Sequence, residues 1–178
     1  MLIPSKALVV GHSDITQPLQ KWFQDHGFTK RFIVPRQVTP MLCARNFGIK
    51  QALVTAATSQ GECEWVVFCD SDVFPCESAT DEFLQLEADL ISCRCETDNP
   101  GAFGGVEAFH WALSAIKIDV LKKLSAPWVT SEYNEDGTRL LRCDCATFAA
   151  KCKAVGAVIR HGGLCIHQHR GSWHTKTY

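Results

Sequence analysis

Two short segments carry apolar residues at consecutive positions, Lys-Ala-Leu-Val-Val-Gly at residues 6–11 and Trp-Val-Val-Phe-Cys at residues 65–69. A strand with one face in water alternates apolar and polar residues, so these segments have no face to give to solvent. They belong in a sheet covered by helices on both sides, the usual setting of parallel strands. The intervening sequence agrees. Ser13 and Asp14 can cap a helix whose Ile15, Leu19, Trp22 and Phe23 share one face, and Gly27 ends it. A second short strand is expected over residues 31–34, closed by Pro35. A longer helix is expected over residues 42–59, with Leu42, Ile49, Leu53 and Ala56 on one stripe.

The third strand, residues 65–69, then delivers Asp70 and Asp72 from its carboxyl end. Beyond it, Ser78 with Asp81 resembles a capping box that opens a helix to about residue 87. Residues 90–93 read as a strand, and residues 96–106, with three glycines and a proline, as a mobile loop. Phe109, Trp111 and Leu113 alternate along an expected strand over residues 108–118. A short helix at 119–124, a last helix at about 144–155, and strands at 157–160 and 164–167 complete the order. The βαβα alternation over 178 residues predicts one three-layer α/β/α domain on a mainly parallel sheet.

The charge balance narrows the partners. Lys and Arg number 18 against 19 Asp and Glu, and no basic run interleaves with aromatics, so neither nucleic acid nor an anionic membrane surface is an expected partner. The amino-terminal apolar stretch is too short for a secretory signal or a membrane span, and a cytoplasmic protein is the expectation. The ten cysteines fit it: Cys69, Cys93 and Cys165 fall inside apolar runs and read as small buried hydrophobes with reduced thiols.

The chemistry concentrates at Asp70-Ser71-Asp72. In open α/β sheets ligands bind in the crevice beyond the carboxyl ends of the strands. Two carboxylates one residue apart at such an end can turn toward one hard cation. Mg²⁺ and Mn²⁺ take few protein carboxylates and complete their shell with water and substrate phosphates. The plain alternative is that Asp70 caps a strand end and Asp72 belongs to a solvated turn.

Ala44-Arg45-Asn46-Phe47-Gly48-Ile49, followed by Val67-Phe68-Cys69-Asp70-Ser71-Asp72-Val73-Phe74-Pro75, resembles the GT-A glycosyltransferases of the family 2 kind. In those enzymes a helix opening Ala-Arg-Asn-x-Gly precedes an apolar strand that ends in an Asp-x-Asp turn. Trp111 to Leu124 is similar to the family's strand and short helix after the loop, Cys143-Asp144-Cys145 stands where it carries a Glu-Asp pair, and Gly156 with His167 resembles its closing segment. The similarity spans about residues 42–169. It implies a GT-A fold, a nucleotide-diphosphate sugar donor, a Mn²⁺ or Mg²⁺ cofactor, and transfer to an acceptor hydroxyl.

On that resemblance Asp70 and Asp72 hold the metal with His167, and Arg45, Asp70, Ser71 and Asp72 hold the donor. Asp144 is the general base that deprotonates the acceptor. Each has a plainer reading. Arg45 can brace Asp70 or Asp72, Asp144 suits a first helical turn through the helix dipole alone, and His167 competes with His161 and His169. Asn46 reads as a structural tie, Trp111 as either a sugar platform or core. Gly101, Gly104 and Gly105 read either as hinges of a closing loop or as ordinary turn residues.

The chain departs from the family in three places. Cys143 replaces one of the two acids, leaving Glu135 or Asp136 as substitutes that otherwise populate an Asn-Glu-Asp-Gly turn. The amino-terminal third has Gly11-His12-Ser13-Asp14 and Pro35-Arg36-Gln37 in place of the family's base-binding residues, with Asp14 and Arg36 the nearest equivalents. The chain is also short, implying a trimmed acceptor region. Three other functions compete. A sugar-phosphate nucleotidyltransferase would want a glycine-rich basic loop after the first strand, a zinc module would draw on Cys93, Cys95, Cys143, Cys145, Cys152, Cys165, His167 and His169, and a non-catalytic homologue would keep only the fold.

Overall fold

The chain is described here by a computed structural model covering residues 1–35, 41–58, 62–97, 109–138 and 140–168. After a 3₁₀ turn at Pro4–Lys6 come β1 (Ala7–Gly11), α1 (Gln17–Asp25), β2 (Lys30–Ile33), α2 (Met41–Thr58), β3 (Trp65–Cys69), β4 (Val73–Pro75), α3 (Glu77–Gln85) and β5 (Leu90–Thr97). Then follow β6 (Leu113–Lys117), α4 (Ile118–Lys123), β7 (Glu132–Tyr133), β8 (Leu140–Arg142), α5 (Asp144–Ala154) and β9 (Ile159–His167). Seven strands form one sheet in the order β2-β1-β3-β6-β5-β9-β4, and β7 with β8 forms a separate ribbon.

Every residue of β1 and β3 is buried, as consecutive apolar positions require. Their side chains divide between two cores. Ala7, Val9, Trp65 and Val67 meet Leu19, Trp22 and Phe23 of α1 and Phe83 of α3 on one face. Leu8, Val10, Val66 and Phe68 meet Ile49 and Ala52 of α2, Leu121 of α4 and Phe148 of α5 on the other. The architecture is therefore the expected α/β/α sandwich. Its first half, β2-β1-β3, is parallel, while β6 runs antiparallel to both β3 and β5 and makes the sheet mixed. Cys69, Cys93 and Cys165 lie in the core, again as expected.

Several local expectations are corrected by the packing. Thr16, not Ser13 or Asp14, caps α1: its hydroxyl accepts from Leu19 N–H and donates to the Val73 carbonyl. In α3, Thr80 Oγ1 accepts from Cys76 N–H at 2.8 Å, and the helix opens at Glu77 ahead of the expected box. Residues 109–112 precede β6 without joining it. Tertiary contact explains this, because Phe109 and Trp111 pack on Phe148, with ring centroids 5.8 and 4.6 Å away, in place of pairing in the sheet. The two expected closing strands are one, β9, since its pairing with β5 resumes past an irregularity at Ser92 and Arg94. The strand β4 was not expected at all. Gly101, Gly104, Gly105, Arg36, Gln37 and His169 lie outside the described residues.

The position of β4 bends the whole sheet. Only Asp70, Ser71 and Asp72 join β3, in the middle of the order, to β4 at its edge. Four Cα steps reach at most about 14 Å. Four strand spacings in a flat sheet take about 19 Å. The sheet must curl so that its far edge returns over the end of β3. Contact between α1 and β4, through Thr16 and Val73, is the visible result. No helix among the described residues is long and apolar enough to cross a membrane.

A single glycine sets how closely α2 approaches the sheet. A Cβ on Gly48 would meet Val10 Cγ1 at 2.6 Å and Phe68 Cε1 at 3.0 Å. Gly48→Ala is expected to lower stability by about 1–3 kcal/mol through overpacking, less roughly 1 kcal/mol returned by helix propensity. Urea unfolding measures the net loss, and an alanine variant as stable as the parent would show that α2 can retreat freely.

Candidate active site

The curl assembles the acidic turn. Asp70 leaves β3 with its N–H donating to the Ala112 carbonyl at 2.9 Å, and Ser71 is half-buried in the turn beyond it. Asp72 is pinned from β9: Val73 pairs with His167 in register, and Gln168 N–H donates to the Asp72 carbonyl at 3.1 Å. That register puts His167 Nε2 2.8 Å from Asp72 Oδ1 and 3.9 Å from Asp70 Oδ2. All three side chains are largely shielded, at 10% exposure for His167, 15% for Asp70 and 19% for Asp72.

Arg45 arrives from the other side, on the first turns of α2. Its Nη2 lies 3.5 Å from both Asp70 oxygens, and its Nη1 donates to Asp144 Oδ2. The guanidinium carbon stands 5.2 Å from the Trp111 ring centroid, a cation–π distance. Trp111 itself is packed among Phe68, Phe109 and Phe148 and is 1% exposed, so it is core first and cavity wall second. Asp144 opens α5, where the helix dipole favours a carboxylate. Its placement opposite Arg45 depends on Asn46. The Asn46 amide donates to Leu42 and Val129 carbonyls and accepts from Val129 N–H at 3.0 Å. Thr147 of α5 then donates to the neighbouring Thr130 carbonyl, and Lys151 to those of Pro127 and Trp128. The segment between α4 and β7 thus ties α2 to α5.

Charges in the site are strongly coupled. Burial is the largest influence on His167 and works against its charged form. The Asp72 hydrogen bond, a hydrogen bond with Cys95 and the fields of both aspartates outweigh it and raise the imidazole to about 10. Arg45 follows the same logic: burial opposes its charge, and Asp70 and Asp144 overcome it. Beside Asp144, Cys143 and Cys145 share a hydrogen bond. The Cys145 thiol donates, and although burial opposes, Cys143 falls to about 6 with help from the Ala146 and Cys145 N–H groups. Cys145 rises correspondingly.

Two cavities meet at the Arg45–Asp70 pair, and both residues line each. One opens over the carboxyl ends of β1, β2 and β3, with Val10, His12, Val34, Ala44 and Phe68 in its wall. The other lies toward β5, β9 and α5, with Cys95, His110, Trp111, Cys145 and His167. Arg45, Asp70, Asp72, Asp144 and His167, all named from the sequence, are joined by contacts, and Arg45, Asp70 and His167 among them line a cavity, while Ser71 stands in the turn between the two aspartates. His110 was not named from the sequence, and Cys95 and Cys145 were named only as ligands of a competing zinc module. Nothing periodic marks them, though the register pairing of Cys95 with Cys165 shows why Cys95 is there. His161 sits toward the other end of β9, opposite Ser92. Asp136 accepts from Thr138 at the tip of the β7–β8 ribbon, and neither it, Glu135 nor Asp14 lines a cavity.

The donor set suits a hard divalent ion. Asp72 Oδ1 and Asp70 Oδ2 stand 2.8 and 3.9 Å from His167 Nε2, and the raised imidazole value favours a proton on that ring. Two carboxylate oxygens are what Mg²⁺ or Mn²⁺ takes from a protein when phosphates and water supply the rest. His167 would ligate only on giving up that proton. Among the described residues no group of three or more His, Cys, Asp or Glu side chains is arranged to hold a metal ion by itself.

No protein-family model matches the chain, and no curated protein matches its sequence. Solved structures do match. A197 from STIV aligns with a TM-score of 0.59 at 14% identity, over 89% of this chain and 82% of that one. A glycosyltransferase involved in the glycosylation of the major capsid of PBCV-1 aligns with a TM-score of 0.55 at 13% identity, over 93% of each chain. Identities this low speak for the fold alone. The chain shares its α/β fold with that glycosyltransferase and with A197.

The paired thiols beside Asp144 give a direct check on this geometry. Alkylation of Cys143 by iodoacetamide is expected to rise through a midpoint near pH 6, because only the thiolate reacts. Peptide mapping after timed labelling reads it, and a midpoint at the ordinary thiol value of about 8.5 would mean the Cys145 hydrogen bond is absent.

Proposed function

We propose that the chain is a glycosyltransferase that moves a sugar from a nucleotide-diphosphate donor to an acceptor hydroxyl with Mn²⁺ or Mg²⁺. The observation that carries this reading is the convergence of Asp70, Asp72 and His167 beyond the carboxyl end of β3, with Asp70 and Arg45 at the seam between two cavities. The fold shared with a glycosyltransferase supports it.

In this reading the cavity over β1 and β2 receives the nucleoside, whose apolar wall of Val10, Val34 and Phe68 suits a base. The diphosphate lies across the seam, facing Arg45 and the two aspartates. When bound, the metal ion would offset the charge of the leaving diphosphate. Sugar and acceptor occupy the cavity bounded by Trp111, His110 and Cys145. Asp144 takes the proton of the acceptor hydroxyl as its oxygen bonds to the anomeric carbon and the bond from that carbon to the diphosphate breaks. The nucleoside diphosphate leaves. The Asn46 tie to Val129 and the Thr147 bond to Thr130 hold Asp144 opposite Arg45, which supports this role.

A thermal-shift screen of nucleoside diphosphates and their sugars, with and without Mn²⁺, tests the proposal. A ligand at ten times its Kd stabilises the native state by about 1.4 kcal/mol, or about 3–6 °C in Tm for a chain of this size. The expected outcome is a shift of that order that is base-specific, requires the metal, and is lost in Asp72→Asn. A chain that no nucleotide stabilises at millimolar concentration would not be a nucleotide-sugar enzyme.

A further inference from the structure

Arg45 has two carboxylate partners and the structure divides it unequally between them. Nη1 is committed to Asp144 Oδ2, while Nη2 stands 3.5 Å from both Asp70 oxygens, at the outer limit of a hydrogen bond. Asp144 in this arrangement has one oxygen held in a charge-assisted contact with Arg45. The residue proposed as the base is therefore restrained, and the group that restrains it lines both cavities.

The charges around Arg45 show what would release it. Arg45 lies between Asp144 and Asp70, and Asp70 and Asp72 both approach His167. A divalent cation on Asp70 and Asp72 would relieve Arg45 of its loose partner. The diphosphate brought with that cation is a stronger and better-shaped acceptor for a guanidinium than a single carboxylate oxygen, because two N–H groups can meet two phosphate oxygens in parallel. The Trp111 face, 5.2 Å from the guanidinium carbon and locked among Phe68, Phe109 and Phe148, offers a flat surface along which the fork can turn without losing its packing.

We infer that Arg45 is a partner-exchanging positioning residue: it restrains Asp144 until a donor diphosphate claims it, so that the base is freed only when the donor is in place. This inference rests on the transferase reading above. Its consequence is economy of substrate, since Asp144 is released from Arg45 only when the donor is present. By linkage, Asp144 and the diphosphate compete for Arg45, and weakening one side of the competition must strengthen the other.

The test is a double-mutant cycle read by calorimetric binding of inorganic pyrophosphate with Mn²⁺ to the full chain. Asp144→Asn is expected to tighten binding about 5- to 10-fold, and Arg45→Gln to weaken it at least as much. With Arg45→Gln already present, Asp144→Asn should change binding by less than about 2-fold. If Asp144→Asn tightens binding equally in both backgrounds, the effect is through-space repulsion and the exchange is refuted. If it leaves binding unchanged or weaker, the exchange is refuted as well. Should Arg45→Gln fail to fold, a structure of the parent chain with Mg²⁺ and pyrophosphate decides: the Arg45–Asp144 contact must be broken there, and its survival overturns the inference. Binding of pyrophosphate to none of these proteins would overturn the transferase reading itself, which separates the two failures.

Discussion

The reach of three residues governs this molecule. Asp70, Ser71 and Asp72 must carry the chain from the middle of a seven-stranded sheet to its edge, a path too long for a flat sheet to permit. The sheet therefore curls, and the pairing of β5 with β9 carries a register irregularity at Ser92 and Arg94, of the kind that bends strands. Curling brings the end of β9 over the end of β3. His167 comes to face Asp70 and Asp72 for that reason, although 95 residues separate it from Asp72. The acidic turn is both the strut that enforces the curl and the chemistry that the curl encloses.

A second set of contacts converts that enclosure into a two-sided site. Gly48 lets α2 lie against Val10 and Phe68, which sets the height of Arg45 above the sheet. Asn46, one residue on, ties α2 to Val129, and through Thr130, Thr147 and Lys151 to α5. Arg45 and Asp144 face each other because these neutral hydrogen bonds have already fixed both helices. The ion pair is a consequence of the scaffold. Breaking it on one side would leave a shielded charge without compensation, typically a loss of about 3–5 kcal/mol, so its persistence in the resting protein needs no functional cause, whereas its exchange during catalysis would.

Ordinary sequence signals made much of this legible. The consecutive apolar residues of β1 and β3 called for a covered sheet, and the covered sheet is there. Asp70, Asp72, Arg45, Asp144 and His167 could be named because their neighbours resemble a known pattern, and the structure brings them within contact of one another. What escaped were features with no local signature. The strand β4 is three residues long and ends in proline, and it exists only because β9 is there to pair with it. Phe109 and Trp111 alternate as a strand would, but the cleft beneath α5 holds their rings more favourably than a ladder position would hold their backbone. Cys95, His110 and Cys145 entered the site through register and helix phase, which single residues do not announce.

The sequence alone determined the layers: apolar periodicity dictates which faces must be buried, and burial on both faces of a strand admits helices above and below. It also placed the acidic pair at a strand end, since a buried run followed at once by two carboxylates has only that solution. Tertiary structure alone decided the partners, Asp70 with Arg45, Asp72 with His167 and Asp144 with Arg45. Which charges meet depends on strand order, curl and helix height. Those are set by distances between segments remote in the chain, and no local pattern of residues encodes them.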